Sequence, residues 1–322
     1  MVSGIYGDIK GKPFEVSHFH LWKLCPRDMP KELWRITDEV RKILLEVTKQ
    51  ADKKILLETW KKHVPDHYDA LTARIDESGY PFTDDTVLHI ATMDAYNKCE
   101  KPCKMPDFRK AYLEWGQKYI DVGFGGVFKS WLEGKVEAPY NSFGNGSSMR
   151  IGPVAWAKQL STEEAFHSHV ITSSSVTHNN AEGIRGAKAS AHASWLCLNK
   201  KGPSITMERI KQEIEEKFYY DLSRSVSDIQ KDYKFEVASQ LSVGESIVAF
   251  LESTDVESAI NTAISLGGDA DTQAMIAGCI AEAYYKKVPS YMIHTVENAL
   301  PDEMLRVIEE FEKSFNVKYE II

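Results

Sequence analysis

The 322-residue chain lacks any apolar run approaching the 18 or so residues that would span a bilayer, and its N-terminus has no basic stretch leading into an apolar one. These absences predict a protein that is neither membrane-embedded nor exported by a visible signal. No Pro/Gly/Ser-rich linker divides the sequence, so a single domain over 1–322 is expected. Cysteine is scarce: Cys25, Cys99, Cys103, Cys197 and Cys279 are odd in number and scattered, which excludes a disulfide scaffold and points to reduced thiols in the cytoplasm. Positive charge is also in deficit. A net charge of −8 excludes a general nucleic-acid surface, so any phosphate must be gripped locally. Alternating strand patterns are missing, and the helical period that dominates instead predicts an all-α fold.

What is present centres on Leu266-Gly267-Gly268-Asp269-Ala270-Asp271-Thr272. The two glycines allow a sharp turn after one helix, and Asp269 falls where the next, Thr272 to Tyr285, needs its N-cap. A cap needs one acid, whereas Asp271 and Thr272 add further hard oxygen ligands of the kind Mg²⁺ or Mn²⁺ prefers. Far upstream, Gly79-Tyr80-Pro81-Phe82 leads into Thr83-Asp84-Asp85-Thr86 and a helical run from Val87 to Tyr96. Either cluster alone is ordinarily a solvated helix start. If folding joins them, each carboxylate pair about 4 Å apart costs roughly 4 kcal/mol at an effective dielectric near 20, a cost that cations between them remove.

This pair of clusters resembles the ADP-ribosylglycohydrolase family, which includes the ADP-ribosyl-acceptor hydrolases and the dinitrogenase reductase activating glycohydrolases. The resemblance implies a compact, orthogonal multi-helix bundle around a binuclear metal site, which cleaves the glycosidic bond between ADP-ribose and its acceptor. It implies two Mg²⁺ or Mn²⁺ ions, one held by Thr83, Asp84, Asp85 and Asp271, the other by Asp269, Asp271 and Thr272. The implied partner is an ADP-ribosylated protein or small ADP-ribose conjugate, bound by a monomer.

Other segments extend the resemblance. Gly7-Asp8 through Gly11 to Glu15 is similar to the family's Gly-Asp-x-x-Gly-x-x-x-Glu; Asp8 reads as a helix-end hydrogen-bonding residue, and Glu15 matches the flap glutamate that does acid/base work in the serine-type hydrolases. The catalytic residues implied are Glu15 and Asp85. Gly144-Asn145-Gly146-Ser147-Ser148-Met149-Arg150 resembles the family's phosphate- and ribose-binding Gly-Asn-Gly-x-x-Met-Arg. By chemistry alone its small residues expose backbone N–H groups beside a helix starting near Ser148, and Arg150 is either a phosphate contact or a packing residue. His178 matches the family's Thr-His and is either structural or substrate-lining; Asn179 and Asn180 replace the proline-containing continuation of many relatives. The arginine-type branch places an aspartate where this chain has Ser142, so the departure, with Glu15, favours O-linked substrates. Asp121 is a spare acid.

The remaining chain reads as scaffold. Leu33, Ile36, Val40, Ile43, Leu44 and Val47 define one helical face; Phe108, Tyr112, Trp115 and Tyr119 another. Gly123 to Pro139 reads as a long loop that faces the substrate, Lys200 to Ala238 carries no identifiable chemistry beyond a helix near Met207 to Tyr220, and Thr254-Asp255-Val256-Glu257 reads as a capping box. Val243-Gly244-Glu245 opens a helix, and Pro289 opens one more. The pairs His18/His20, in a loop, His63/His67, divided by Pro65, and Cys99/Cys103, divided by Pro102, are poor metal sites. Two alternatives stand beside the hydrolase: a catalytically silent ADP-ribose-binding or crystallin-like relative, and a two-metal phosphohydrolase acting on the diphosphate.

Overall fold

The computed structural model describes residues 1–23, 43, 46–48, 50–63, 65, 68–75, 78–157, 162–199 and 205–322. Seventeen helices carry them, and the fold is all-α. Among the described residues, β structure amounts to a two-residue parallel pairing of Lys287–Val288 with Glu320–Ile321 and a bridge between Gly144 and Ala238.

The helix Ala270–Tyr285 is the axis of the molecule. Every residue from Ala270 to Ala283 is buried, so the helix is covered on all sides and needs partners all round. They are the N-terminal helix Val2–Lys23 and the helices Ala181–Asn199, Ser239–Leu251 and Val256–Ser265. The N-terminal helix comes closest, through a stripe of small residues. A Cβ on Gly7 would stand 2.5 Å from the Ala274 carbonyl oxygen, and one on Gly11 2.6 Å from Cα of Asp271. Gly278 mirrors them, its place for a Cβ lying 2.6 Å from the Ser3 carbonyl oxygen. Backbone-to-backbone contact at this distance lets the acids of one helix meet those of the other.

Several sequence expectations need correction. The N-terminal helix runs unbroken through Pro13, so Asp8 is not at a helix end, Glu15 is held on a helix rather than a separate flap, and His18 and His20 lie in that helix rather than a loop. Thr254 does not cap: Asp255 is the N-cap, paired reciprocally with Ser258, because a carboxylate outcompetes the adjacent threonine hydroxyl for the role. Ser239, not Val243, begins its helix. Gly123 to Pro139 is not all loop, since Gly126–Leu132 is helical. The chain after Pro289 forms two helices, Ser290–Ala299 and Asp302–Phe315, because Pro301 cannot continue the first. The face from Leu33 to Val47 lies outside the described residues apart from helical Ile43 and buried Val47, as do Cys25 and His67. The aromatic face from Phe108 to Tyr119 is core, all four rings being buried.

Candidate active site

Asp8 explains how the first acid cluster is held. Thr83 N-caps the helix Asp84–Lys98, and Asp8 reaches across from the N-terminal helix to finish the job. Its Oδ1 accepts from the Thr83 hydroxyl at 2.8 Å, while Oδ2 accepts from the Thr83 and Thr86 amides at 3.0 and 3.1 Å and from the Thr86 hydroxyl at 2.5 Å. Four donors on one buried carboxylate lock the two helices together and leave the acids beside it free.

The second cluster is delivered by a strained turn. Gly267 and Gly268 have φ of +79° and +83°, in the left-handed region that only glycine enters at little cost. Asp269 occupies the N-cap position of the axial helix, yet its side chain makes no capping bond. Instead its Oδ2 accepts from Asn145 Nδ2 at 2.6 Å. Asp271 Oδ1 accepts only locally, from the Thr272 amide at 2.9 Å. Thr272 crosses to the first cluster, its hydroxyl donating to Asp85 Oδ2 at 3.1 Å.

The two clusters therefore meet. Carboxylate oxygens of Glu15, Asp269 and Asp271 all lie within 4.8 Å of one another, and Asp85 Oδ1 is buried without a hydrogen-bond partner. Burial first, then the neighbouring carboxylates Asp269, Asp84 and Asp8, push the Glu15 carboxyl up to about 8. Burial and the same crowding hold Asp84, Asp85 and Asp271 well above the usual carboxylate range. An all-oxygen donor set that repels itself, with one orphaned buried carboxylate oxygen, fits a hard divalent cation. Lys12, a neighbouring cation, is turned towards Ser78 and the Tyr80 carbonyl.

A cavity of about 1290 Å³ opens over these acids. Its walls include Glu15, Thr83, Asp84, Asp85, Asp269, Asp271 and Thr272, and it extends to Gly144, Asn145, Gly146, Met149, Arg150 and His178. The Ser147 and Ser148 side chains are not part of it. Ser147 Oγ donates to the Gly183 carbonyl at 2.8 Å, and Ser148 Oγ is buried against Gly186. The row of free backbone N–H groups expected there is also shorter, because those of Gly144, Asn145, Ser148 and Met149 already donate within the chain. The helix beginning here is a single turn, Gly146–Met149.

Arg150 both packs in the interior and borders the cavity, and its Nε and Nη1 have no hydrogen-bond partner. It is fully buried, with its guanidinium 4.2 Å from the centre of the Tyr112 ring and Nη2 donating to Thr177 Oγ1 at 2.8 Å. The same hydroxyl stands 2.7 Å from His178 Nδ1 and hydrogen-bonds it. Burial, then the Arg150 charge, hold the His178 imidazole well below its usual value, so it is neutral. The asparagines after it set the loop's shape: Asn179 Oδ1 accepts from the Asn141 amide and Asn180 Oδ1 from the Glu182 amide.

Only the Gly123 to Pro139 part of the opposite wall was foreseen as substrate-facing. Phe235 and Val237, from the stretch Lys200 to Ala238, line the cavity with Phe143, Phe124, Val127 and Phe128. Phe143, Val127 and Val237 are about half exposed, and Phe124 stacks on Phe128 at 4.9 Å. Ser142 Oγ accepts from the Gly144 amide at 3.3 Å. Asp121 stands at the rim, exposed and paired with Lys129 at 3.0 Å.

A buried carboxylate cluster capped by threonines, beside a Gly-Asn-Gly turn and under an apolar rim, is the architecture of a glycohydrolase that handles a charged nucleotide sugar. The chain belongs to the ADP-ribosylglycohydrolase family, whose model matches residues 1–320. It is 26% identical over 259 residues to the ADP-ribosylhydrolase ARH3 of Bos taurus, an alignment covering 63% of this chain and 70% of that protein. A solved ADP-ribosylglycohydrolase-related protein complex shares the fold with a TM-score of 0.53 at 20% identity, over 72% of this chain and 81% of that one.

Proposed function

We propose that this chain, acting as one domain and as a monomer, is a divalent-metal-dependent hydrolase that releases ADP-ribose from an O-linked acceptor on a protein or small conjugate. The observation that carries the reading is the single cavity that joins five crowded carboxylates to the Gly144–Met149 turn and His178.

Thr83, Asp84, Asp85, Asp269, Asp271 and Thr272 are the residues to hold two cations, Mg²⁺ or Mn²⁺. When bound, such ions position the ribose hydroxyls and lower the pKa of water. The chain's own groups do the rest. Asn145, tied to Asp269, and Gly146, beside His178, present the distal ribose and diphosphate to the acids. Neutral His178 offers a hydrogen-bonding ring nitrogen without adding charge. Phe143, Val127 and Val237 form an apolar rim suited to the face of the adenine base.

Glu15 is the proton carrier. Burial favours the protonated form of its carboxyl, which can pass that proton to the departing acceptor oxygen. As carboxylate it then takes one back from the attacking water. Asp85 supports the same centre through Thr272.

The test is product analysis on a panel of serine-, arginine- and acetyl-linked ADP-ribose substrates, with Mg²⁺ and with Mn²⁺. Free ADP-ribose from the O-linked members, abolished by EDTA, is the expected result. AMP as product would make the chain a phosphohydrolase, and binding without any product would make it a silent relative.

A further inference from the structure

Besides the residues that line the cavity, three helices bring a second set of ligand-type side chains together. Glu163 and His167 lie one turn apart on the helix Glu163–Ser174, His192 comes from Ala181–Asn199, and Glu213 from Met207–Phe218. One ligand atom each from Glu163, His167 and His192 falls within 4.8 Å of the others. His167 Nε2 is 3.6 Å from Glu163 Oε1, and His192 Nε2 is 3.7 Å from Glu213 Oε2.

His192 is the informative member. It is fully buried, yet neither ring nitrogen has a hydrogen-bond partner. A neutral imidazole carries one N–H and one lone pair, and leaving such groups unmet in the interior costs about 1–3 kcal/mol. His167 stacks on it at 5.1 Å, and its Nδ1 is unpartnered too. Trp195 and Phe218 close the aromatic shell around the pair.

Lys217 marks where positive charge is stabilised in this cluster. Its ammonium bridges Glu163 and Glu213, standing 3.0 Å from Glu213 Oε2. Its side chain is 37% exposed on a flexible stem, so it can swing to solvent.

We propose that Glu163, His167, His192 and Glu213 form a structural site for a borderline transition-metal ion, Zn²⁺ foremost, with Lys217 giving up its position to the ion. Two imidazoles and two carboxylates are a tetrahedral N₂O₂ set, which suits Zn²⁺ and not the Mg²⁺ of an all-oxygen site. Bonds of about 2.0–2.1 Å place neighbouring ligand atoms roughly 3.3 Å apart, so Glu163, His167 and His192, with ligand atoms within 4.8 Å of one another, and Glu213, 3.7 Å from His192, need to draw inward around the ion. Four protein ligands leave no open position, which makes the ion structural. It would staple the far end of the helical hairpin whose turn carries Thr177 and His178.

The experiment titrates chelator-stripped full-length protein with Zn²⁺ in excess Mg²⁺, which occupies the acid cluster, and reads stoichiometry by calorimetry and ligand type by X-ray absorption. One Zn²⁺ per chain with nitrogen and oxygen neighbours at about 2.0–2.1 Å is expected. H167Q should weaken the binding by about 100-fold or more, and H192Q likewise. K217M should strengthen it, by about tenfold, because the competing ammonium is gone. Should H192Q not fold, positions 167 and 217, which are less buried than 192, still decide the matter. No Zn²⁺ uptake, an all-oxygen shell, unchanged affinity in H167Q, or weaker binding in K217M would each overturn the proposal and leave a lysine-bridged ion-pair cluster.

Discussion

Asp271→Asn is expected to make the cation-free protein more stable while removing the stability it gains from Mg²⁺. The substitution keeps an oxygen in place for the Thr272 amide, which Asp271 Oδ1 accepts at 2.9 Å, and deletes a charge whose neighbours are the carboxylates of Glu15, Asp85 and Asp269. With carboxylate oxygens within 4.8 Å, each charged pair costs about 3 kcal/mol at an effective dielectric near 20. Glu15 avoids part of this by keeping its proton. Its folded value near 8 lies above the unfolded 4.5, so between those limits the native state holds the extra proton, and the stability this gives is present below about 4.5 and is lost as pH rises through 8. The relief from Asp271→Asn should therefore be small at pH 7 and nearly full at pH 9. At about 2 °C per kcal/mol for a chain of this size, a gain of about 6 °C in Tm is expected at pH 9 in EDTA. Calorimetry at both pH values, in EDTA and in saturating Mg²⁺, measures it. A variant that melts below the parent in EDTA at both pH values and still responds to Mg²⁺ would refute the crowded-carboxylate account.

Other outcomes follow from the same geometry. Glu15→Gln should preserve Mg²⁺ and ADP-ribose binding within a few fold and lower kcat by about 10²–10⁴, since a positioned proton-transfer group is worth that much; steady-state kinetics with parallel calorimetry separates the two. Gly146→Val should weaken ADP-ribose binding at unchanged Tm, because a Cβ there stands in ordinary contact, 3.7 Å from His178, but points a branched side chain into the cavity. Equal affinity would remove the Gly144–Met149 turn from the binding site. Gly11→Ala should instead destabilise, by about 1–3 kcal/mol or more, since its Cβ would sit 2.6 Å from Cα of Asp271 on rigid backbone, and denaturant titration reads the loss.

The clusters Thr83–Thr86 and Gly267–Thr272 were legible in the sequence because their chemistry is local: turn, acid and hydroxyl lie within a few residues. Asp8 was misread because its four donors are 75 and 78 positions away, and nothing beside it hints at them. Arg150 could be read two ways because its packing partners Tyr112 and Thr177 lie far from it in the sequence. Phe143, Phe235 and Val237 escaped notice because single apolar residues in irregular segments have no period; their only signal was being bulky and apolar in otherwise polar loops. The helix breaks at Pro301 and Asp255 could have been read from proline and cap preferences. The serines at 147 and 148 could not, since which way a side chain points in a one-turn helix depends on what packs behind it.

The bond from Thr272 to Asp85 spans 187 positions, and it bears on how the protein is made. At about 5–20 residues per second, Asp85 leaves the ribosome roughly 10–40 s before Thr272 is synthesised. Through that interval half of the acid cluster exists without its counterpart, so cation binding cannot guide early folding. A cation shared by both halves, as the proposed function requires, would bind last, and its affinity would gauge whether the two ends of the chain have found each other.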